Sequence, residues 1–236
     1  MIDFEIAGSV DPILKARLHP GDELFCESGA MVSMDECLSL TGKARGGVLS
    51  AIGRKMLNDE SFFQQKIEAG TQGGEVLLSP QLAGDVRLLD VGSAQFTVAD
   101  GCYLANTAAV RLELATQGIG KALFAKSGGF FTMKTSGQGT LAVSGFGSIH
   151  ELEVRPDHPI LVDNGHLVAW DSALKYEVAL NTAHKGLFGS MVQSVVSGAM
   201  VVLRFSGKGR VLVSSRSRED FTKWLGQSLA TLNTKP

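Results

Sequence analysis

Cysteine is scarce in this chain, and its placement excludes more than its number. Cys26, Cys37 and Cys102 are the only three in 236 residues. They form an odd set without CxxC spacing, which rules out a disulfide framework and a cysteine-rich zinc module. The chain opens on Met1-Ile2-Asp3-Phe4-Glu5, acidic rather than signal-like, so reduced thiols and a cytoplasmic location are expected. Proline is low at 6, which excludes collagen-like and proline-rich linker segments. Charge of one sign is missing too: 22 Lys+Arg stand against 24 Asp+Glu, for a net charge of -2. No window clusters Lys/Arg with interleaved aromatics, and aromatics are only 7% of the chain. DNA is therefore excluded as a partner, and an RNA-binding module ranks third among the functions considered.

The motifs of catalysis are absent as well. No HxH pair exists for a barrel metal site. Of the histidines His19, His150, His158, His166 and His184, the best cluster is His158 and His166 with Asp157 and Asp163. That pair brackets an expected Asp163-Asn164-Gly165 turn and reads as solvated turn residues. A small-ligand or metal-binding β-barrel enzyme, the alternative reading, requires His150, His158 or His166 to converge in a pocket. The G-x-G triplets at 118–120, 137–139 and 207–209 lack the third glycine of a dinucleotide fingerprint, and no GxxxxGK[ST] or G-x-S-x-G occurs. Cys26 and Cys102 lie among apolar residues, where cysteine behaves as a small hydrophobe. No catalytic, cofactor-binding or metal-binding residue is assigned, and no cofactor is expected.

What the chain does have is glycine, 28 of them, within a composition that is 44% hydrophobic. The glycines punctuate a recurring block. Leu24-Phe25-Cys26-Glu27-Ser28-Gly29-Ala30-Met31-Val32 is followed by Phe96-Thr97-Val98-Ala99-Asp100-Gly101-Cys102-Tyr103-Leu104 and then by Ile160-Leu161-Val162-Asp163-Asn164-Gly165-His166-Leu167-Val168. After each comes a second block of apolar run, glycine turn, apolar run and serine. These second blocks end at Ser79, Ser144 and Ser214. Alternation in Phe131-Thr132-Met133-Lys134 and Arg210-Val211-Leu212-Val213 marks half-buried strands. Each block reads as a β-hairpin, with glycine supplying the positive φ of the turn.

Between the two blocks of each copy lies a glycine-rich apolar insert, at 46–57, 118–126 and 186–196. In the first, Val48, Leu49, Ile52 and Met56 fall at helical spacing, so each insert is expected to be a short amphipathic helix. The stretch 186–203 carries no charge at all, which suggests burial between subunits or, second, shallow contact with a membrane surface. Ser217-Arg218-Glu219-Asp220 is a helix start signal. Phe221, Trp224, Leu225 and Leu229 then share one face of an amphipathic tail helix.

The expected fold is mainly β: three tandem β-sandwich-like repeats with internal pseudo-threefold symmetry, short glycine-rich helices and a C-terminal amphipathic helix. Residues 1–216 form one compact body with repeats at about 14–83, 84–150 and 151–216, and 217–236 form the helix and tail.

Five stretches carry a family resemblance: Pro20-Gly21-Asp22-Glu23, Glu27-Ser28-Gly29-Ala30-Met31-Val32, Asn58-Asp59-Glu60-Ser61-Phe62-Phe63, Gly128-Gly129-Phe130-Phe131 and Val162-Asp163-Asn164-Gly165-His166-Leu167-Val168-Ala169-Trp170. Through them residues 1–216 resemble the bacterial branch of the altered-inheritance-of-mitochondria (mitochondrial biogenesis) family. That resemblance implies a fold like the tryptophan RNA-binding attenuation protein, assembly into trimers, and no catalytic residue, metal or cofactor. The resulting expectation is a non-catalytic, homo-oligomeric scaffold or interaction protein, cytoplasmic, partnered by itself as a homotrimer and peripherally by a membrane surface or another protein.

Overall fold

The computed structural model describes residues 1–43, 64–115, 132–178 and 201–233. The three glycine-rich inserts at 46–57, 118–126 and 186–196, expected as short helices, lie outside the described residues, as does His184. The chain begins with β1 (Asp3–Ala7), β2 (Ile13–Leu18), β3 (Glu23–Glu27), β4 (Met31–Met34), β5 (Leu38–Lys43), β6 (Gln64–Ala69) and β7 (Gly74–Leu78). Then come β8 (Gly84–Val91), β9 (Phe96–Ala99), β10 (Tyr103–Thr107), β11 (Val110–Ala115), β12 (Thr132–Gly137) and β13 (Gly139–Phe146). The series ends with β14 (Ile149–Val154), β15 (Ile160–Asp163), β16 (Leu167–Asp171), β17 (Lys175–Val178), β18 (Val202–Ser206), β19 (Gly209–Ser214) and the helix α1 (Arg218–Asn233).

The chain is mainly β, as its alternating runs require, and it divides into two compact units. One comprises Met1–Gly92, Tyr103–Arg111 and Gly137–Ser144; the other comprises Ser93–Cys102, Leu112–Ser136 and Gly145–Pro236. The unit boundaries fall inside 84–150 rather than at its ends.

The first unit, the end of β13 excepted, packs a sheet of order β1-β2-β7-β4 on one of order β5-β6-β3-β10-β13-β8. Period-two patterning explains the packing. In β2, Leu14, Ala16 and Leu18 are buried while Lys15 and Arg17 reach outward to Glu75. Leu14 lies opposite Leu78 of β7, and Ala16 opposite Val76. From the second sheet, Leu24, Cys26, Leu38, Ile67, Val86 and Leu104 complete the same core. Each such large aliphatic side chain stabilises the fold by roughly 1.5–3 kcal/mol when fully buried.

The second unit holds the sheet β11-β12-β9-β16-β19-β14, the start of β11 excepted, and the sheet β15-β18-β17. Its core is aromatic at the centre. Trp170 meets Phe205 edge-on with ring centroids 5.6 Å apart and Tyr176 at 5.4 Å. Val154, Val162, Leu203 and Val211 surround this cluster.

The expected hairpins are not hairpins. β3 bonds to β6 and β10, whereas β4 bonds to β7, so the Gly29 turn carries the chain from one sheet into the other. β6 and β7 part in the same way, as do β9 and β10, β12 and β13, β15 and β16, and β18 and β19. The reason lies in edge pairing. β3 gives its two edges to β6 and β10, and β9 gives its two edges to β12 and β16, so neither has an edge left for the strand that follows it. Glycine corners let the chain switch sheets. Gly29 (φ 83) and Gly101 (φ 68) are such corners. Gly165 departs from the expected positive φ: 164–166 form a single 3-10 turn, whose Asp163 carboxylate accepts from the Gly165 N–H at 3.0 Å.

Apart from β1 and β2, the consecutive described strands that do sit side by side are those flanking the inserts. Lys43 lies opposite Gln64 in β5 and β6, Val178 lies opposite Leu203 in β17 and β18, and β11 neighbours β12.

Candidate interaction surface

Sheet ends are where a β protein either protects itself or meets a partner, because an end strand presents unpaired N–H and C=O groups. Among the described residues the ends are β1 and β4, β5 and β8, β11 and β14, and β15 and β17. Most carry charge: Asp3 and Glu5 in β1, Lys43 in β5, Asp85 and Arg87 in β8, Arg111 and Glu113 in β11, Glu151 and Glu153 in β14, and Lys175 and Glu177 in β17. Such charges oppose edge-to-edge pairing.

Two ends lack that protection. β4 reads Met31-Val32-Ser33-Met34, without a charge, and Val32 is 55% exposed. β15 reads Ile160-Leu161-Val162-Asp163, with Leu161 64% exposed. Its one carboxylate, Asp163, turns back onto the Gly165 N–H.

Both strands are hydrogen-bonded on their inner side, β4 with an irregularity between Met31 and Ser33. The β4 stretch is pinned at each end, by Ser79 N–H donating to the Ala30 carbonyl at 2.8 Å and by Asp35 N–H donating to the Glu75 carbonyl at 3.0 Å. β15 pairs along its length with β18, and Asn164 N–H donates to the Val201 carbonyl at 2.8 Å. Both edges thus carry little charge and expose an aliphatic side chain.

The second exposed apolar feature is α1. The Ser217 hydroxyl accepts from Asp220 N–H at 3.2 Å, the cap that the sequence predicts, and Glu219 and Asp220 lie in the positive first turn. Arg218 reaches Asp100 at 3.0 Å, and Phe221 packs on Phe146 with centroids 5.2 Å apart. Beyond that anchor Trp224, Leu225 and Leu229 are exposed on one face.

The histidines are placed apart. His166 Nδ1 lies 2.8 Å from the Ser214 carbonyl, within the fold. His150 is exposed on β14 opposite Val213, and His158 is exposed in a turn closed by its N–H donating to the Arg155 carbonyl. His19 meets Asp3 at 3.1 Å. Among the described residues no group of three or more His, Cys, Asp or Glu could hold a metal ion.

Cys26 is buried in the first core, and desolvation, with Glu27 beside it, pushes its thiol up to about 12. Cys37 is exposed and donates to the Gly73 carbonyl, and none of the three cysteines is in a disulfide. Lys66 bonds Glu23 and Glu68 on the neighbouring strand and its own, which holds the ammonium above its ordinary pKa. No helix among the described residues is long and apolar enough to cross a membrane; this says nothing of a β-barrel.

Sequence reasoning singled out the tail helix but missed β4 and β15 as edges. The signal was present as missing charge over 30–34 and 160–162; reading it requires knowing which strands end a sheet.

Comparison with known proteins adds kinship over the whole fold. The family described as Mitochondrial biogenesis AIM24 matches residues 4–216. An uncharacterised protein of Streptococcus pyogenes serotype M6 is 31% identical over 243 residues, spanning 98% of this chain and 94% of that protein. A Streptococcus pyogenes protein solved by X-ray crystallography aligns with a TM-score of 0.77 at 30% identity, covering 97% of this chain and 100% of that one.

Proposed function

The chain belongs to the mitochondrial biogenesis AIM24 family, and from that premise we propose that it is a non-catalytic scaffold that assembles with copies of itself in the cytoplasm. One observation carries the reading: the two sheet ends with least protective charge, β4 and β15, expose the aliphatic side chains Val32 and Leu161 to a greater extent than the charged ends β11 and β14 expose Leu114 and Leu152. An edge of that kind is a hazard to a solitary molecule and an asset to an assembling one.

The scaffold is read as three copies of one six-strand unit, at about 14–83, 84–150 and 151–216, arranged in tandem with a likeness to the attenuation-protein architecture. Support comes from the strand pairing. In each stretch the first strand bonds the sixth (β2 to β7, β8 to β13, β14 to β19), and the sixth bonds the third (β7 to β4, β13 to β10, β19 to β16). The fifth bonds both the fourth and the second. Native mass spectrometry at micromolar concentration tests the assembly: a trimer or another closed oligomer is expected, and a clean monomer refutes it.

A second reading rests on α1, whose exposed Trp224, Leu225 and Leu229 suit shallow insertion at a membrane surface. Flotation with anionic liposomes tests it. Trp224→Ser/Leu229→Ser should stay at the bottom of the gradient while the parent floats.

A further inference from the structure

We infer that β15 of one copy adds to β4 of a second copy, antiparallel, with Ser33 opposite Val162, Met34 opposite Leu161 and Asp35 opposite Ile160. This rests on the self-assembly proposed above and specifies its joint.

The register comes from two joints the chain already makes. β3 meets β10 with Cys26 opposite Ala105, Phe25 opposite Asn106 and Leu24 opposite Thr107. β9 meets β16 with Val98 opposite Ala169, Thr97 opposite Trp170 and Phe96 opposite Asp171. The two joints align through Gly29, Gly101 and Gly165 of the recurring block. A shared irregularity fixes the alignment independently: the register of the third strand against the sixth shifts between Met31 and Ser33, between Tyr103 and Ala105, and between Leu167 and Ala169. Each joint thus pairs the second strand of one stretch with the third strand of the next.

One donor and one acceptor are left over. β15 is the second strand of the last stretch and ends its sheet; β4 is the third strand of the first stretch and ends its sheet. Exposure marks each of the two strands as uncovered among the described residues. Leu104 and Val168, at the bulge of the two made joints, are 0% exposed, whereas the matching Val32 is 55% exposed. Phe25 and Thr97, at the paired position, are 5% and 1% exposed, whereas the matching Leu161 is 64% exposed. The missing cover for each strand is the chemistry of the other.

Among the described residues both strands remain sheet ends, and the occupant we infer for each is the complementary strand of a second copy. The combined sheet runs β17-β18-β15 and then β4-β7-β2-β1 of the next copy. Its first six strands repeat the order of β5-β6-β3-β10-β13-β8 and of β11-β12-β9-β16-β19-β14. Such a contact is head to tail, and head-to-tail contacts close into rings when their rotation allows.

The test is a paired-cysteine variant of the full chain, Met34→Cys/Leu161→Cys in a Cys37→Ser background. Directly opposed antiparallel residues lie about 4.5–5.5 Å apart between Cα atoms, within disulfide reach. Mild oxidation should give disulfide-linked multimers on a non-reducing gel, with peptide mass spectrometry finding the 34–161 bridge. A bridged monomer means closure within one chain and overturns the joint. An unbridged oligomer by native mass spectrometry overturns the joint and leaves the scaffold reading standing; an unbridged monomer ends both. As an independent arm, Val32→Lys/Leu161→Lys places charge only at exposed positions. It should convert the oligomer to monomer with an unchanged far-ultraviolet spectrum; an oligomer that survives it overturns the joint.

Discussion

The Tyr103 hydroxyl donates to Asn106 Oδ1 at 2.7 Å inside the first unit, and Gln64 Nε2 donates to both, at 2.8 Å to the hydroxyl and 3.1 Å to Oδ1. Asn106 Nδ2 in turn donates to the carbonyls of Thr107 and Val110 at 2.8 and 2.9 Å. A buried polar group left without its partner costs about 1–3 kcal/mol. Tyr103→Phe removes a hydroxyl that both gives and accepts, and it should destabilise by about 1–2 kcal/mol. Asn106→Ala strands two backbone carbonyls as well as Tyr103 and should destabilise more. Urea unfolding midpoints give the order; equal midpoints for Asn106→Ala and parent would contradict it.

Thiol reactivity should divide by burial. At pH 8 a chromogenic disulfide reagent should label Cys37 quickly in the native protein, since it is exposed, and reach Cys26 only on unfolding. Thiolate is the reactive species, and a thiol pushed up to about 12 yields almost none at that pH. Rapid native labelling of Cys26 would contradict its burial.

The same shift predicts how stability depends on pH. The ordinary thiol value is 9.0, and the folded value of Cys26 is raised to about 12. The unfolded chain therefore loses that proton first. The contribution is fully present below about pH 9 and is lost between pH 9 and 12. Lys66 and Tyr176, both raised, act in the same direction at higher pH. Melting temperature should fall from pH 8.5 to 10.5. Cys26→Ala should melt lower at pH 8 yet fall less steeply, and a parallel decline would refute the role of the thiol.

At the helix, Ser217→Ala removes the side-chain acceptor for Asp220 N–H, with an expected cost of about 0.5–2 kcal/mol localised to α1. Hydrogen exchange should quicken at the first turn of α1 and leave the Trp170–Phe205 core unchanged. Trp224→Ser, by contrast, sits on an exposed face and should leave the urea midpoint within about 0.5 kcal/mol of the parent.

Local chemistry made much of this protein readable from residues alone. Alternation in Ile13-Leu14-Lys15-Ala16-Arg17-Leu18 set one face of β2 inward, Ser217 and Asp220 announced the helix start, and the recurring glycine block marked the strand boundaries near 29, 101 and 165. These are decisions within a few residues, where propensity and periodicity act. Strand partners were decided elsewhere. Leu24-Phe25-Cys26 followed by glycine and Met31-Val32 suits a hairpin as well as a corner, and it is the pairing of both edges of β3, with β6 and β10, that leaves its neighbour β4 to a different sheet. Which apolar strands would then stand uncovered, Val32 and Leu161 among them, follows from the order of strands in complete sheets. That order is a property of long-range pairing, carried by hydrogen bonds between segments far apart in the chain, and no local window contains it.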